Sequence, residues 1–590
     1  MLKIIQEEQI TVVGTGGLSM TMDRIDEILT EVHKYDPNII TVLGGGIITA
    51  DPETVYCHLQ PNFGVIGEGE EVMKELLLAI HNKESDYTTI PGIVFNHQGT
   101  IKNSGERTPI ADLDRMPLPD IEGFGIKEFL EMQDDDVFDY HLTINGQGKS
   151  LPIMASRSCP YKCTFCFHTT SQVYRKISIK RVVDEILRLK EKYQVYSFDI
   201  YDDLFDYDKN RIKEFCQLLL DSDANITWMC QLRVNNTNQE LLYIMKEAGC
   251  TCISYGFESA SPTTLKSMKK RICPQDIAKS VKYTRNAGIA IQANFLFGDP
   301  ADTIETVQET LDFQNQHNLD YIDWSAVIPY PGSPLCKKFQ RSGIIPGTIE
   351  FTKLISNSAT YLWKTLQPPV NMTQMPDAEF RKLYLELREI TDKNNRKRLA
   401  EICNFQYITD NLSHATIKCP CCKKEQLYKV RYPPDSTGET LTPAQPLFGL
   451  RGINIRCAIC SRRMHMPPWF FPHIDTMYST FQTLINNLTQ TKEEVVLLPA
   501  MDRYFGTFSE RVDISRLNVV ATMDTIPYRL GQLFFDREVE ELSNQKVVEN
   551  KESVFVILPA YNSETLLNVL REAGIKQEKI IYWPDCYQPT

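Results

Sequence analysis

Ser158-Cys159-Pro160-Tyr161-Lys162-Cys163-Thr164-Phe165-Cys166-Phe167 is the stretch that decides how this chain is read. Its three cysteines are spaced Cys-x3-Cys-x2-Cys, with an aromatic residue just before the third. Three thiolates on one short loop suit three irons of a four-iron cluster and leave the fourth iron without a protein ligand. A substrate can bind at such an open iron and receive an electron there. The competing readings are a zinc site short of one ligand, or three incidental buried cysteines. The apolar, strand-like run from Leu151 to Ala155, directly ahead of the loop, favours the cluster.

Downstream, short apolar runs alternate with segments of helical period. Tyr196 to Tyr201, Ile226 to Leu232, Cys252 to Phe257, Ile291 to Phe297 and Tyr321 to Ile328 read as strands, and Ile179 to Lys192 and Ile277 to Ala287 as helices. With the strand before the cysteines this makes six βα units, a partial parallel (β/α)6 barrel. Chemistry in such barrels gathers on the loops that follow the strands. Those loops carry Asp202-Asp203, Arg233, Gly256-Phe257-Glu258-Ser259 and Gly298-Asp299-Pro300.

The cysteine motif and the barrel pattern, from about residue 150 to 340, resemble the radical S-adenosylmethionine (SAM) superfamily. The resemblance implies that Cys159, Cys163 and Cys166 hold a [4Fe-4S] cluster, where SAM is reductively cleaved to methionine and a 5′-deoxyadenosyl radical. It places Arg233 on the SAM carboxylate, a contact that paired hydrogen bonds favour, and Glu258 on the ribose. Phe165 and the turn at Gly298 would flank adenine. Asp203 stands where the family carries a more glycine-rich methionine-contacting motif. Arg233 and Glu258 can alternatively pair with each other.

Residues 1–103 alternate strand and helix in the manner of a shortened doubly wound domain. Ile10 to Gly14, Ile39 to Leu43 and Phe63 to Ile66 are the strands, and Asp23 to Tyr35 a helix. Glycines follow the strand ends at Gly44-Gly45-Gly46 and Gly67-Glu68-Gly69-Glu70, where ligands bind in such sheets. This pattern resembles the cobalamin-binding domain that precedes the barrel in a large radical SAM subfamily, which implies cofactor contacts at Gly45, Gly46, Gly67 and Glu68. The linker Ile110 to Asp120 echoes the same subfamily. The chain departs from it in lacking the early Asp-x-His-x-x-Gly loop, and neither His33 nor His58 has that context.

Residues 104–150 read as a linker, 151–365 as the barrel and 366–412 as a helical segment, with helix from Asp377 to Ile402. Residues 413–466 read as a zinc ribbon. Cys419-x2-Cys422 and Cys457-x2-Cys460 are paired knuckles that give zinc a closed tetrahedral site, with no position left for a substrate. Cys421 and His465 compete as ligands, and Lys423, Lys424, Lys429, Arg431, Arg456, Arg462 and Arg463 give the region a basic face. Residues 467–590 alternate again: Val495 to Leu498, Val519 to Thr522, Val554 to Leu558 and Ile580 to Trp583 as strands, with a helix from Glu564 to Ala573. This is Rossmann-like, but Leu498-Pro499-Ala500-Met501-Asp502 lacks the glycine fingerprint for a dinucleotide. Gly531 to Val539 and Ile557 to Tyr561 resemble C-terminal domains of some sugar C-methyltransferases, a docking or substrate-recruiting part.

Composition narrows the classes. The 590 residues exceed one core and imply about three or four domains. No apolar run reaches the ~18–20 residues of a membrane span, and Met1 to Glu8 does not read as a signal peptide. A net charge of −13 argues against broad nucleic-acid binding. The 17 cysteines do not form a secreted disulfide framework. A reducing, oxygen-poor cytoplasm is expected, with a small-molecule or biosynthetic-intermediate substrate and an electron donor such as flavodoxin or ferredoxin. Three functions stay open: a radical SAM enzyme using cobalamin for C-methylation, a cobalamin-independent radical SAM rearrangement or oxidation enzyme, and a non-catalytic metal-bearing recruitment protein.

Overall fold

The computed structural model describes residues 1–132, 150–319, 321–362, 370–396, 400–409, 412–431, 453–457, 459, 463–466, 474–498, 512–524, 533–534, 537–558 and 563–582. It divides into two units: Met1–Asp120 with Leu151–Thr391, and Ile121–Ser150 with Asp392–Thr590.

The first unit opens with a sheet of five strands in sequence order. β1 (Val12–Gly16), β2 (Ile40–Gly44) and β3 (Phe63–Val65) run parallel. The sequence reading stopped there, yet β4 (Ile93–His97) and β5 (Thr100–Asn103) extend the sheet antiparallel. Gln98 and Gly99, both at positive φ, join them in a two-residue turn of the kind that matches strand twist. Gln-Gly is a weaker turn signal than Asn-Gly, which is why the hairpin was not legible. The helix Met22–Tyr35 buries Met22, Ile25, Leu29 and Val32, a stripe of helical period set by the chain's own pattern.

The six-stranded sheet that follows holds β6 (Ser150–Ile153), β9 (Ser197–Ile200), β10 (Thr227–Leu232), β11 (Cys250–Glu258), β12 (Ala290–Phe297) and β13 (Tyr321–Ala326), adjacent in that order. Two short strands, β7 (Ser156–Arg157) and β8 (Arg175–Lys176), pair antiparallel between β6 and β9. β9 through β13 are parallel neighbours, each reached by a crossover through helix. Alternate side chains separate the two faces. Tyr255, Phe257, Phe295 and Trp324 form one aromatic series, with centroids 5.5, 5.8 and 5.1 Å apart, and all four are fully buried. Burying each such ring stabilises the sheet by about 1.5–3 kcal/mol. The opposite face bears Ser254 and Asn294, whose amide donates to Ser254 Oγ at 2.8 Å. Below them Met229, Cys252 and Ala290 close the lumen with an apolar plug.

In the second unit β14 (Glu401–Thr409), β15 (Leu412–Lys418) and β16 (Glu425–Arg431) form an antiparallel sheet, and β17 (Ile453–Arg456) pairs with β18 (Arg463–Met466). The helix expected from Asp377 to Ile402 is described over Asp377–Arg396. Glu401 and Ile402 instead open β14, opposite Lys418 and Ile417. Antiparallel pairing with the next strand, β15, overrides local helical propensity here. The last sheet runs β21 (Leu533–Phe534), β22 (Arg537–Glu541), β20 (Asn518–Asp524), β19 (Glu494–Leu498), β23 (Val554–Ile557), β24 (Ile580–Tyr582). β22 to β24 form its parallel core, and β21 is the antiparallel edge. The segments 499–511, 525–532 and 559–562 lie outside the described residues.

Candidate active site

The cysteine loop leaves the sheet after β6 and is tied down by its own backbone. Thr164 donates its amide to Met268 O at 3.1 Å and accepts from the Leu335 amide at 2.9 Å. Cys163 is buried, and Cys159 and Cys166 are half-buried. A hydrogen bond from the Cys166 thiol, with the positive charges of Lys270 and Arg233, outweighs burial and draws the Cys163 thiol below its ordinary value. Cys166, as the donor and in a buried place, moves up. Burial also raises Cys159, and the nearby Asp203 charge adds to it. A cation-flanked trio of thiols, one of them readily ionised, is a donor set that fits an iron–sulfur cluster.

Arg233 and Glu258 do reach this loop, but they do not pair with each other. Arg233 lies over the Tyr161 ring at 3.7 Å, approaches Cys163 Sγ at 4.0 Å, and donates to the Lys270 carbonyl. Glu258 instead pairs with Lys270, Nζ to Oε1 at 2.5 Å, with only 10% and 9% of their side chains exposed. Lys270 also sits 6.0 Å from the Phe165 ring. Lys270 was missed in the sequence because lysine runs such as Lys269-Lys270-Arg271 read as a solvated face. Gly256 explains itself here. A Cβ at that position would stand 2.4 Å from Glu258 Oε1 and 3.0 Å from Lys270 Nζ. The strand bulges between Gly256 and Glu258, and Glu258 takes φ +61°. A non-glycine residue there is a strained position of the kind found at functional sites.

The neighbouring carboxylates divide by role. Asp203 is exposed, whereas Asp202 is buried and accepts from the Ala155 amide at 2.7 Å, the Ser156 amide at 3.0 Å and Ser156 Oγ at 2.6 Å. Asp202 therefore braces the exit from β6. Gly298, at φ +106°, begins a turn held by Asp302, which accepts from the Gly298 and Asp299 amides at 2.9 and 3.0 Å and from Thr264 Oγ1 at 2.8 Å. Burial raises Asp302 to about 6.

At the N-terminal sheet, the glycine-rich strand ends meet the same cysteine loop. Gly45 has φ +84°, and a Cβ on it would strike the Gly17 backbone at 2.8 Å. A Cβ on Gly46 would lie 2.8 Å from Leu18, 3.0 Å from Thr169 and 3.7 Å from Phe167, and one on Gly67 would lie 3.8 Å from Thr170 O. These glycines leave bare backbone at the strand ends, which suits a flat cofactor, and Thr169 and Thr170 of the facing loop stand against it. His33 is exposed on its helix, His58 lies in the last turn of the helix Pro52–Leu59, and the half-buried His168 belongs to the facing loop. Glu68 is otherwise engaged: its Oε1 accepts from Arg157 at 3.0 Å, and its Oε2 from Arg175 at 2.8 Å and from the Ile110 amide at 2.9 Å.

In the second unit Cys419, Cys422 and Cys457 bring their sulfurs within 4.8 Å of one another. The Cys421 amide donates to Cys419 Sγ at 3.3 Å, and Lys423 takes φ +61°. Cys421 thus offers its amide to the site. Cys460 lies outside the described residues.

Comparison with known proteins identifies two of the domains described above. Residues 153–313 match the family model of the radical SAM superfamily, and residues 1–77 that of the B12 binding domain. The chain therefore carries a B12-binding domain and, after it, a radical SAM domain. It is 28% identical over 339 residues to an uncharacterized methyltransferase of Pyrococcus horikoshii, covering 56% of this chain and 70% of the relative. It is also 28% identical over 349 residues to the anaerobic magnesium-protoporphyrin IX monomethyl ester cyclase of Rubrivivax gelatinosus. That match covers 58% of this chain and 60%, less than two thirds, of the cyclase. The cobalamin-dependent SAM radical enzyme OxsB, with aqua-cobalamin bound, shares the fold at TM-score 0.50 and 17% identity, over 67% of this chain and 64% of that one. Among the described residues no helix is long and apolar enough to cross a membrane.

Proposed function

We propose that this protein transfers a methyl group to a carbon of a small-molecule substrate. The observation that carries the reading is the convergence of Arg233, Lys270 and Glu258 on the three-cysteine loop, beside a glycine cradle from the N-terminal sheet. A cluster on Cys159, Cys163 and Cys166 would supply the electron that cleaves SAM, and a corrinoid at Gly45, Gly46 and Gly67 the methyl group.

The chain's own groups bind and orient. Arg233, held flat against Tyr161, presents a guanidinium suited to the methionine carboxylate. Glu258 is a carboxylate suited to ribose hydroxyls, and Lys270 fixes its position. Phe165 and the Gly298 turn offer an apolar slot for adenine. The plug of Met229, Cys252 and Ala290 keeps water from the lumen's base. An electron donor such as flavodoxin or ferredoxin and a reducing cytoplasm complete the proposal. Cys419, Cys422 and Cys457, with Cys460, are assigned a structural zinc, supported by the clustered sulfurs and the Cys421 amide bond.

The test is anaerobic purification from cobalamin-fed cells, a visible spectrum, corrinoid mass spectrometry and product analysis. S-adenosylhomocysteine beside 5′-deoxyadenosine supports methyl transfer. Replacing all three loop cysteines with alanine should abolish SAM cleavage and leave zinc content unchanged; activity in that variant refutes the assignment. The packing of Phe167 to Thr170 against Gly46 and Gly67 favours one second reading, a cobalamin-independent rearrangement or oxidation. Deoxyadenosine alone, from protein without corrinoid, would select it.

A further inference from the structure

The cysteine loop is closed at its neck, and the closure comes from the N-terminal sheet. Arg157 and Arg175 stand opposite each other in the β7–β8 pair. Between them runs the segment 158–174, which contains Cys159, Cys163 and Cys166 as well as Phe167 to Thr170 facing the glycine cradle. Just inside the neck, Ser158 is buried at φ +68° and its hydroxyl meets Thr170 Oγ1 at 2.9 Å. One carboxylate spans the two arginines. Glu68 Oε1 takes Arg157 NH1 at 3.0 Å, and Glu68 Oε2 takes Arg175 NH1 at 2.8 Å.

This clip is buried and fully engaged. Glu68 and Arg175 have 6% of their side chains exposed and Arg157 has 17%. Arg175 NH1 also donates to Ile110 O at 2.9 Å, and its Nε to Val173 O at 3.2 Å. The second arm of Arg157 reaches Glu70 Oε1 at 2.6 Å, so two carboxylates face two guanidiniums. Burial acts to raise Glu68, but the hydrogen bonds from Arg175, Ile110 and Arg157 prevail and hold it below the usual carboxylate range. A carboxylate bound this way is a poor candidate for direct cofactor contact, since both oxygens are occupied. Its length and two-pronged geometry suit it to hold two backbone segments at a fixed separation.

We infer that Glu68 is a positioning residue: by clipping Arg157 and Arg175 together, the N-terminal domain sets the geometry of the cysteine loop. SAM binding and cleavage then depend on this domain even in turnovers that transfer no methyl group. The inference rests on the reading of Cys159, Cys163 and Cys166 as cluster ligands.

The test uses the full chain with Glu68→Gln, which keeps volume and one acceptor but removes the charge, and Glu68→Asp, which keeps the charge on a shorter arm. In metal-free protein, hydrogen exchange of the 158–174 amides should be at least about tenfold faster in Glu68→Gln, with exchange in β10 to β12 unchanged. In reconstituted protein, iron and sulfide content should match the parent, while the change that SAM induces in the electron paramagnetic resonance spectrum of the reduced cluster should need at least about tenfold more SAM. Glu68→Asp should recover part of both. Should Glu68→Gln fail to fold, Arg157→Gln removes one arm from the more exposed side and should produce the same two shifts. Parent-like exchange and a parent-like SAM titration in the variants would overturn the clip. Absence of any cluster signal in the parent would instead overturn the cluster assignment, leaving the exchange result to judge the clip alone.

Discussion

Replacing Lys270 with Met is the sharpest perturbation of the barrel, because it removes a charge and little volume. Lys270 and Glu258 meet at 2.5 Å with about a tenth of each side chain exposed. Breaking a buried pair from one side strands the other charge and costs about 3–5 kcal/mol, whereas replacing both partners with neutral groups of similar size costs far less. At about 1.4 kcal/mol per tenfold, Lys270→Met should speed local exchange at β11 by roughly two to three and a half orders of magnitude. Glu258→Gln alone should act in the same direction. The double variant should return to within about tenfold of the parent. Native-state hydrogen exchange of the peptide spanning β11 reads this locally, which matters because a chain of several domains has no single unfolding free energy. The bulge at Gly256 and Glu258 should show the largest change, since the ion pair fixes Glu258 at φ +61°. If the effects of the two single variants simply add in the double variant, the pair is not coupled and its assigned role in shaping this site is wrong.

Further outcomes follow from the same buried groups. Asp302 is raised to about 6 by burial, so its contribution to stability is full below its ordinary value near 3.8 and is lost as pH rises through about 6. Asp302→Asn can keep the Gly298 and Asp299 amide bonds and donate to Thr264, so it should remove about 3 kcal/mol of that pH dependence; exchange at the Gly298 turn between pH 4 and 7 checks the sign. Gly256→Ala would drive a Cβ to 2.4 Å from Glu258 Oε1; cluster content should persist while SAM affinity falls at least about tenfold, and an unchanged SAM titration would contradict the crowding. Cys457→Ala should remove zinc, measured by elemental analysis, and unfold β15 to β18 without altering iron content. A structural zinc contributes on the order of 10 kcal/mol to its domain, so a zinc-free variant with parent-like protection of β15 would count against the site.

Some of this protein was written in short range along the chain, and some was not. The cysteine triad, the glycine-rich strand ends and the period-two and helical runs are local: each depends on residues within about ten positions, whose spacing already fixes which groups can share a loop or a face. The barrel strands and the glycine-rich strand ends were therefore legible. The β4–β5 hairpin and the strand β14 were not, because a weak turn dipeptide decided the first and pairing with the following strand β15 the second. The same holds for the charges that shape the site. Glu258 chose Lys270, not Arg233, from 12 residues away, and Glu68 found Arg157 and Arg175 from 89 and 107 residues away. Every arginine and glutamate looks alike in sequence, since a charged side chain announces its need for a counter-ion but not its partner. Only burial in the folded unit, where an unpaired charge is most costly, selected which pairs would form.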